Sequence, residues 1–151
     1  MVHIRPFHPQ DWEILLELAN QAVPFAPKEN LEWLEYRKAF DESRRIRRHF
    51  IAQANNQSLG YGCLEQQEDD LKSLRIYIVC SPAHLHGEVG EQLYLKLREE
   101  ANQLGTRRLW AREFQADEPI REFFTQQGFI EIQRYTPSGF SPLSVFELDL
   151  R

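Results

Sequence analysis

The chain has 151 residues, 42% hydrophobic and 12% aromatic, with 18 basic against 23 acidic side chains and a formal net charge of −5. That length holds one ordinary domain, able to bury roughly 70% of its unfolded-chain surface, and the composition excludes a disordered or fibrous chain. The acidic balance excludes a broad electrostatic footprint for nucleic acid, and no apolar run approaches the roughly 18 residues of a membrane span.

Residues 2–5 form a short strand candidate that Pro6 stops. Pro9 suits a first helical turn, and Trp12, Leu15, Leu16, Ala19, Ala22 and Val23 follow at helical spacing. Pro24 and Pro27 close that helix and open a second, lined by Leu31, Trp33, Leu34, Tyr36 and Phe40. Arg44, Arg45, Arg47, Arg48 and His49 make a dense basic run. It reads as a solvated lead-in to the next strand, paired with Asp41 and Glu42, with a grip on a phosphate-rich ligand as the alternative.

Residues 50–54 and 59–65 read as two strands of a hairpin, turned by Asn55, Asn56, Gln57 and Ser58. In a third strand Leu74, Ile76, Ile78 and Cys80 alternate with Arg75, Tyr77 and Val79, and Ser81 and Pro82 end it. The clearest helix carries Val89, Leu93, Leu97, Ala101 and Leu104 on one face and Glu91, Gln92, Lys96, Glu99, Glu100 and Gln103 on the other, with Gly105 as its stop. Residues 108–114 form a strand, and Asp117 is a plausible N-cap for a short helix with Ile120, Phe123 and Phe124 that Gly128 ends. Residues 129–135 and 143–150 are the last strands, joined through Pro137, Ser138 and Gly139. The order predicts a single α/β domain (α+β mixed) over residues 1–151. Its sheet is mixed and mostly antiparallel, of about seven strands, with about four helices on its two faces.

Cys63 and Cys80 sit inside apolar runs, which suits a buried reduced pair better than a disulfide. Residues 1–8 lack the basic-then-apolar pattern of a secretory signal, so the expected compartment is the cytoplasm.

The order of elements and four local features resemble the GNAT N-acetyltransferase family, most firmly from Leu74 to Tyr135. Ile78-Val79-Cys80-Ser81-Pro82 looks like the family's central strand ending in a V-x-P-type turn. Leu85-His86-Gly87-Glu88-Val89-Gly90 occupies the place of its R/Q-x-x-G-x-G/A loop. Asp117-Glu118-Pro119-Ile120-Arg121-Glu122-Phe123-Phe124 resembles its N-x-x-A-x-x-F-Y run, and Gln127-Gly128-Phe129 its Gly-Phe entry into the next strand. The resemblance implies acetyl-CoA as co-substrate, without a metal. Backbone groups of Ile78, Val79 and Cys80 would meet the pantetheine arm, backbone N–H groups from Leu85 to Gly90 would cradle the pyrophosphate, and Asp117 and Phe124 would flank the coenzyme. An unpaired strand edge needs such a partner, and a helix N-terminus favours an anion.

The coenzyme loop is degenerate. Leu85 stands where Arg or Gln is usual, and Glu88 where the first glycine is usual. A carboxylate about 5 Å from the pyrophosphate would cost roughly 3 kcal/mol, or about a hundredfold in affinity, at an effective dielectric near 20. Asp117 replaces Asn, and Phe124 replaces a Tyr that often acts as the acid on the departing thiolate; a phenyl ring has no proton to give.

Acetyl transfer to an amine needs donors for the oxyanion and a base for the ammonium proton. Glu65 and Glu113 are the candidate bases, and Tyr135 and Tyr77 stand-in acids. Cys63, Cys80, His84 and His86 lack recognised metal-ligand spacing, and Cys80 lacks the His and carboxylate partners of a nucleophile. The leading expectation is an N-acetyltransferase acting on a small-molecule or protein amine. A catalytically silent ligand- or protein-binding module stays open beside it, because Leu85, Glu88, Asp117 and Phe124 all depart from the family pattern. No nucleic-acid or membrane partner is expected, and a homodimer through the final hairpin is compatible with the sequence.

Overall fold

A computed structural model of the chain describes residues 1–22, 46–66, 72–114, 118–135 and 143–150. Strand β1 (His3–Pro6) leads through a 3-10 turn (Pro9–Asp11) into α1 (Trp12–Ala22). The Asp11 carboxylate organises that entry. It accepts the His8 backbone N–H at 2.7 Å and both terminal nitrogens of Arg5 at 2.7 and 2.8 Å. The bidentate Arg5 partner, joined by the His8 N–H, holds the Asp11 carboxyl below its ordinary range.

Strands β2 (Arg47–Ala54) and β3 (Gln57–Glu65) form the expected hairpin. Its turn is tighter than the sequence reading placed it. Asn55 and Asn56 alone make it, at φ 53° and 63°, because asparagine tolerates the left-handed conformation that a two-residue turn demands twice. Strand β4 (Ser73–Cys80) follows, then the one-turn α2 (Pro82–Leu85) and the long α3 (Glu88–Gln103). Gly105, at φ 73°, stops α3 as its position predicts. The chain continues as β5 (Arg108–Phe114), α4 (Glu118–Gln126), β6 (Ile130–Tyr135) and β7 (Leu143–Asp149). α2 was not expected, since an element so short carries no hydrophobic period; Pro9 does open a helical turn, which takes the 3-10 form ahead of α1. The second predicted helix, Arg44 and Arg45, Asp117 and the loop at Pro137 all lie outside the described residues.

The strands form one seven-stranded sheet in the order β1-β2-β3-β4-β5-β7-β6. Only β4 and β5 pair in parallel; the other described pairs are antiparallel. One face buries Phe50, Ala52, Leu64, Leu74, Ile76, Cys80, Leu109, Ala111 and Phe146 against the Val89–Leu93–Leu97–Ala101 stripe of α3 and against Phe123 and Phe124 of α4. The other buries Ile51, Tyr61, Cys63 and Val79 against Phe7 and Trp12, Leu15, Leu18 and Ala19 of α1. Each large side chain sealed in this way contributes about 1.5–3 kcal/mol. Residues of β3 that face α3 include two glycines. A Cβ on Gly60 would lie 2.8 Å from Val89 Cγ1, and one on Gly62 3.1 Å from Leu97 Cδ1. Their missing side chains let α3 settle directly on the strand. Both cysteines are buried thiols, joined in no disulfide. Among the described residues no helix is long and apolar enough to cross a membrane.

Candidate functional site

Strands β4 and β5 part company soon after they meet. Their parallel pairing covers Ser73↔Arg108, Leu74↔Leu109 and Arg75↔Trp110 and goes no further. Beyond Arg75, β4 stays paired to β3 up to Cys80, and beyond Trp110, β5 stays paired to β7 up to Phe114. A wedge-shaped gap therefore opens between residues 76–80 and residues 111–114. Alternate residues on each rim turn their N–H and C=O groups into it, and buried backbone groups of this kind require a partner.

The mouth of the wedge lies under the start of α3. Val89 packs over Gly60, and Gly60 is the cross-strand partner of Cys80, the last residue of β4. The chain reaches α3 through α2, which Ser81 caps by accepting the His84 N–H at 3.4 Å. Glu91 N–H is the donor to the Gly87 carbonyl at 3.2 Å, so the N–H groups of Glu88, Val89 and Gly90 precede the helical ladder and have no carbonyl within the helix. Donors aligned with the helix dipole make an anion site.

Gly90 is required there for a reason the sequence did not reveal. A Cβ at Gly90 would run into the carbonyl of Leu85. The glycine lets the end of α2 fold tightly onto the first turn of α3, which aims that turn at the wedge. Glu88 does not aim at it. Its Oε1 accepts the Val2 backbone N–H at 3.2 Å, toward β1 at the edge of the sheet.

The opposite side of the mouth is α4. The His86 ring meets Phe123 edge-on at 6.3 Å, which joins the α2–α3 connection to that helix. Phe124, named from sequence beside the coenzyme, is 3% exposed and stacked on Phe146 at 5.0 Å. Its ring is core, and it brings no polar atom to the wedge. Val89 and Cys80 also turn their side chains into the core, so each can offer the wedge only its backbone. Burial pushes the Cys80 thiol up to about 12, which leaves no thiolate near neutral pH.

The two candidate bases part here. Glu65 closes β3 opposite Arg75, at the closed end of the wedge, and its carboxylate pairs with Arg47 at 3.3 Å. Glu113 lies on the part of β5 that has left β4, opposite the buried Ser144 of β7. Burial pushes its carboxyl up to about 7, against a weaker downward pull from Arg75. Tyr77 lies on β4, facing the α1 side of the sheet. Tyr135 closes β6 opposite Leu143, and its side chain lies outside the described residues, as does Asp117. Among the described residues, no three His, Cys, Asp or Glu side chains are grouped to hold a metal ion.

The family model described as the acetyltransferase (GNAT) family matches residues 12–129, which include β2 to β5, α3, α4 and the whole wedge. The chain belongs to the GNAT acetyltransferase family. Solved structures agree on the fold. A GNAT-family protein of Desulfovibrio desulfuricans, provisionally assigned as an acetyltransferase, superposes with a TM-score of 0.81 at 18% identity over 100% of both chains. The ribosomal-protein-S18-alanine N-acetyltransferase of Escherichia coli gives 0.74 at 18% identity over 99% of this chain and 94% of that one. A Salmonella typhimurium protein, yncA, provisionally assigned as an acetyltransferase and solved with acetyl-CoA as its cofactor, gives 0.72 at 18% identity over 99% and 94%. At such low identity the likeness shows the fold alone. No curated protein sequence matches the chain.

For a GNAT domain the co-substrate is acetyl-CoA, and the wedge fits it in kind. It offers unpaired strand edges to the amides of the pantetheine arm and a helix N-terminus to the pyrophosphate. Sequence reasoning gathered Ile78 to Cys80 and Leu85 to Gly90 at one mouth. It missed Arg75 and Trp110, which stand where the strands separate. The polar positions of an alternating strand were the available signal, but alternation does not say which of them reaches a gap.

Proposed function

We propose that this GNAT domain transfers the acetyl group of acetyl-CoA to an amine, with Glu113 as the general base. The single observation that carries the reading is the position of Glu113. It is a carboxylate on the separated length of β5, poised near neutral pH, beside the wedge that would hold the thioester. A base with a pKa near the working pH combines availability with driving force.

The acceptor arrives as an ammonium ion. Glu113, directly or through one water, takes one proton and frees the nitrogen lone pair. That nitrogen attacks the thioester carbonyl, and N–H groups on the β4 rim near Val79 and Cys80 receive the oxyanion. The tetrahedral adduct collapses with its C–S bond breaking and the C–N bond kept. The second proton lost by nitrogen goes to the departing thiolate, so the products are the acetamide, coenzyme A as free thiol, and one proton released through Glu113. Phe124 takes no part in this route, so a phenyl ring there does not bar catalysis. Because the carboxylate of Glu88 is held toward Val2, the loop can serve the pyrophosphate with Glu88 in place of glycine. A reducing cytoplasm suits both the co-substrate and the buried thiols of Cys63 and Cys80, which form no disulfide.

Calorimetric titration with acetyl-CoA, followed by coenzyme A release across an amine panel, tests the reading. Micromolar binding and turnover that Glu113→Gln removes would support it. Absence of binding at millimolar acetyl-CoA would defeat it and leave a silent module.

A further inference from the structure

Arg75 is the last residue of β4 to pair with β5, and Trp110 is its partner across the pair. Both lie on the face opposite the α3 core, since their neighbours Leu74 and Leu109 are buried in it. The guanidinium of Arg75 lies 4.8 Å from the centre of the Tyr77 ring and 5.8 Å from that of Trp110. Its Nη2 donates to the Arg112 carbonyl at 3.4 Å, and its Nε is buried with no acceptor. Glu65, its partner across β3, is the natural counter-ion by register, yet Glu65 pairs with Arg47. Among the described residues no carboxylate comes within 4.0 Å of Arg75. The Arg75 charge reaches Glu113 only at a distance, as a weak downward pull on that carboxyl. A half-buried guanidinium held over two aromatic rings thus has no direct ion pair among the described residues, and a ligand carboxylate would complete it.

We propose that Arg75 receives a carboxylate of the acceptor, so that the amine acetylated here belongs to a small amino acid rather than to a polyamine or an uncharged amine. The inference rests on the acetyl-transfer reading. With the pyrophosphate at the N-terminus of α3, the thioester arm enters from the α3 face and crosses the wedge, and the acceptor approaches from the other face, where Arg75, Tyr77 and Trp110 stand at its vertex. The acceptor's amine reaches through the gap toward Glu113, which shares the α3 face with Leu109 and Ala111. The planar guanidinium offers its donors to a carboxylate as a fork. The rings beneath it hold that fork in place, and the carboxylate so fixed directs the acceptor's amine along the wedge.

The test compares matched acceptors with acetyl-CoA at saturation: the twenty amino acids, their carboxamides, and spermidine, followed by coenzyme A release. The expected result is a preference of at least about 30-fold in kcat/KM for one or more amino acids over the matching carboxamide, the size of a hydrogen bond to a charged group. Arg75→Gln should collapse that ratio to near one, mostly through KM, and Arg75→Lys should keep part of it. Thermal unfolding and acetyl-CoA titration of both variants show that each is folded. Equal use of acids and carboxamides, a preference for spermidine, or no acceptor among the amino acids despite acetyl-CoA binding would overturn the inference and leave acetyl transfer standing. A wild-type protein that does not bind acetyl-CoA would remove both.

Discussion

The carboxylate of Glu88 accepts a hydrogen bond from the Val2 backbone N–H at 3.2 Å, which ties the first turn of α3 to the chain just ahead of β1. β1 is the edge strand, three places from β4 in the sheet, or about 14 Å at ordinary strand spacing. The charge that departs from the family's glycine is thus drawn away from the wedge. Glu88→Gln is expected to change the acetyl-CoA dissociation constant by less than about threefold, where a carboxylate facing the pyrophosphate would be worth roughly a hundredfold. Calorimetric titration of the variant decides between them.

Gly90 should tolerate no side chain. The clash of a new Cβ with the Leu85 carbonyl is with backbone, which cannot rotate out of the way. Gly90→Ala is expected to cost about 2–3 kcal/mol of stability and to weaken acetyl-CoA binding at least tenfold, because the shift falls on the turn that presents the N–H groups. Denaturant unfolding and titration of the same sample check both effects.

Glu113 links activity to stability with opposite signs. Its folded pKa, about 7, lies above the ordinary 4.5. Its contribution to stability is therefore fully present below the ordinary value and is lost as pH rises through about 7. Glu113→Gln should raise stability at pH 8 by ~2 kcal/mol and lower kcat by about 10²–10³-fold, with acetyl-CoA binding unchanged. The wild-type rate should climb through a limb near pH 7 that the variant lacks. Paired melting curves and pH–rate profiles read out the exchange.

Asp11 carries the reverse dependence. Arg5 depresses its carboxyl, so the stability it contributes is present above the unfolded value and lost as pH falls through the folded one. Asp11→Asn is expected to cost ~2 kcal/mol at pH 7 and to flatten the loss of stability on acidification. Urea unfolding at pH 7 and pH 3.5 tests both.

Much of the scaffold was legible along the chain. The stripe from Val89 to Ala101 defined α3, the two asparagines at 55 and 56 turned the hairpin, and Gly105 and Gly128 marked helix ends at positive φ. The expected coenzyme loop, Leu85 to Gly90, runs from the end of α2 into the first turn of α3. Glu88 read along the chain as a charge against the pyrophosphate, while in the fold its carboxylate meets the Val2 N–H; the constraint on Gly90, the Leu85 carbonyl, could not be read from the chain. The second predicted helix lies outside the described residues.

The sequence by itself determined the seven strands, the longer described helices and their order, because periodicity, turn chemistry and capping act between residues a few positions apart, while the family was read from the resemblance of its local motifs. Only the tertiary structure decided where β4 and β5 separate, which carboxylate lies beside the opening, and that Glu65 chooses Arg47 over Arg75. Those outcomes depend on sheet register and on how completely distant segments strip water from a charge, and neither quantity is written in any short stretch of the chain.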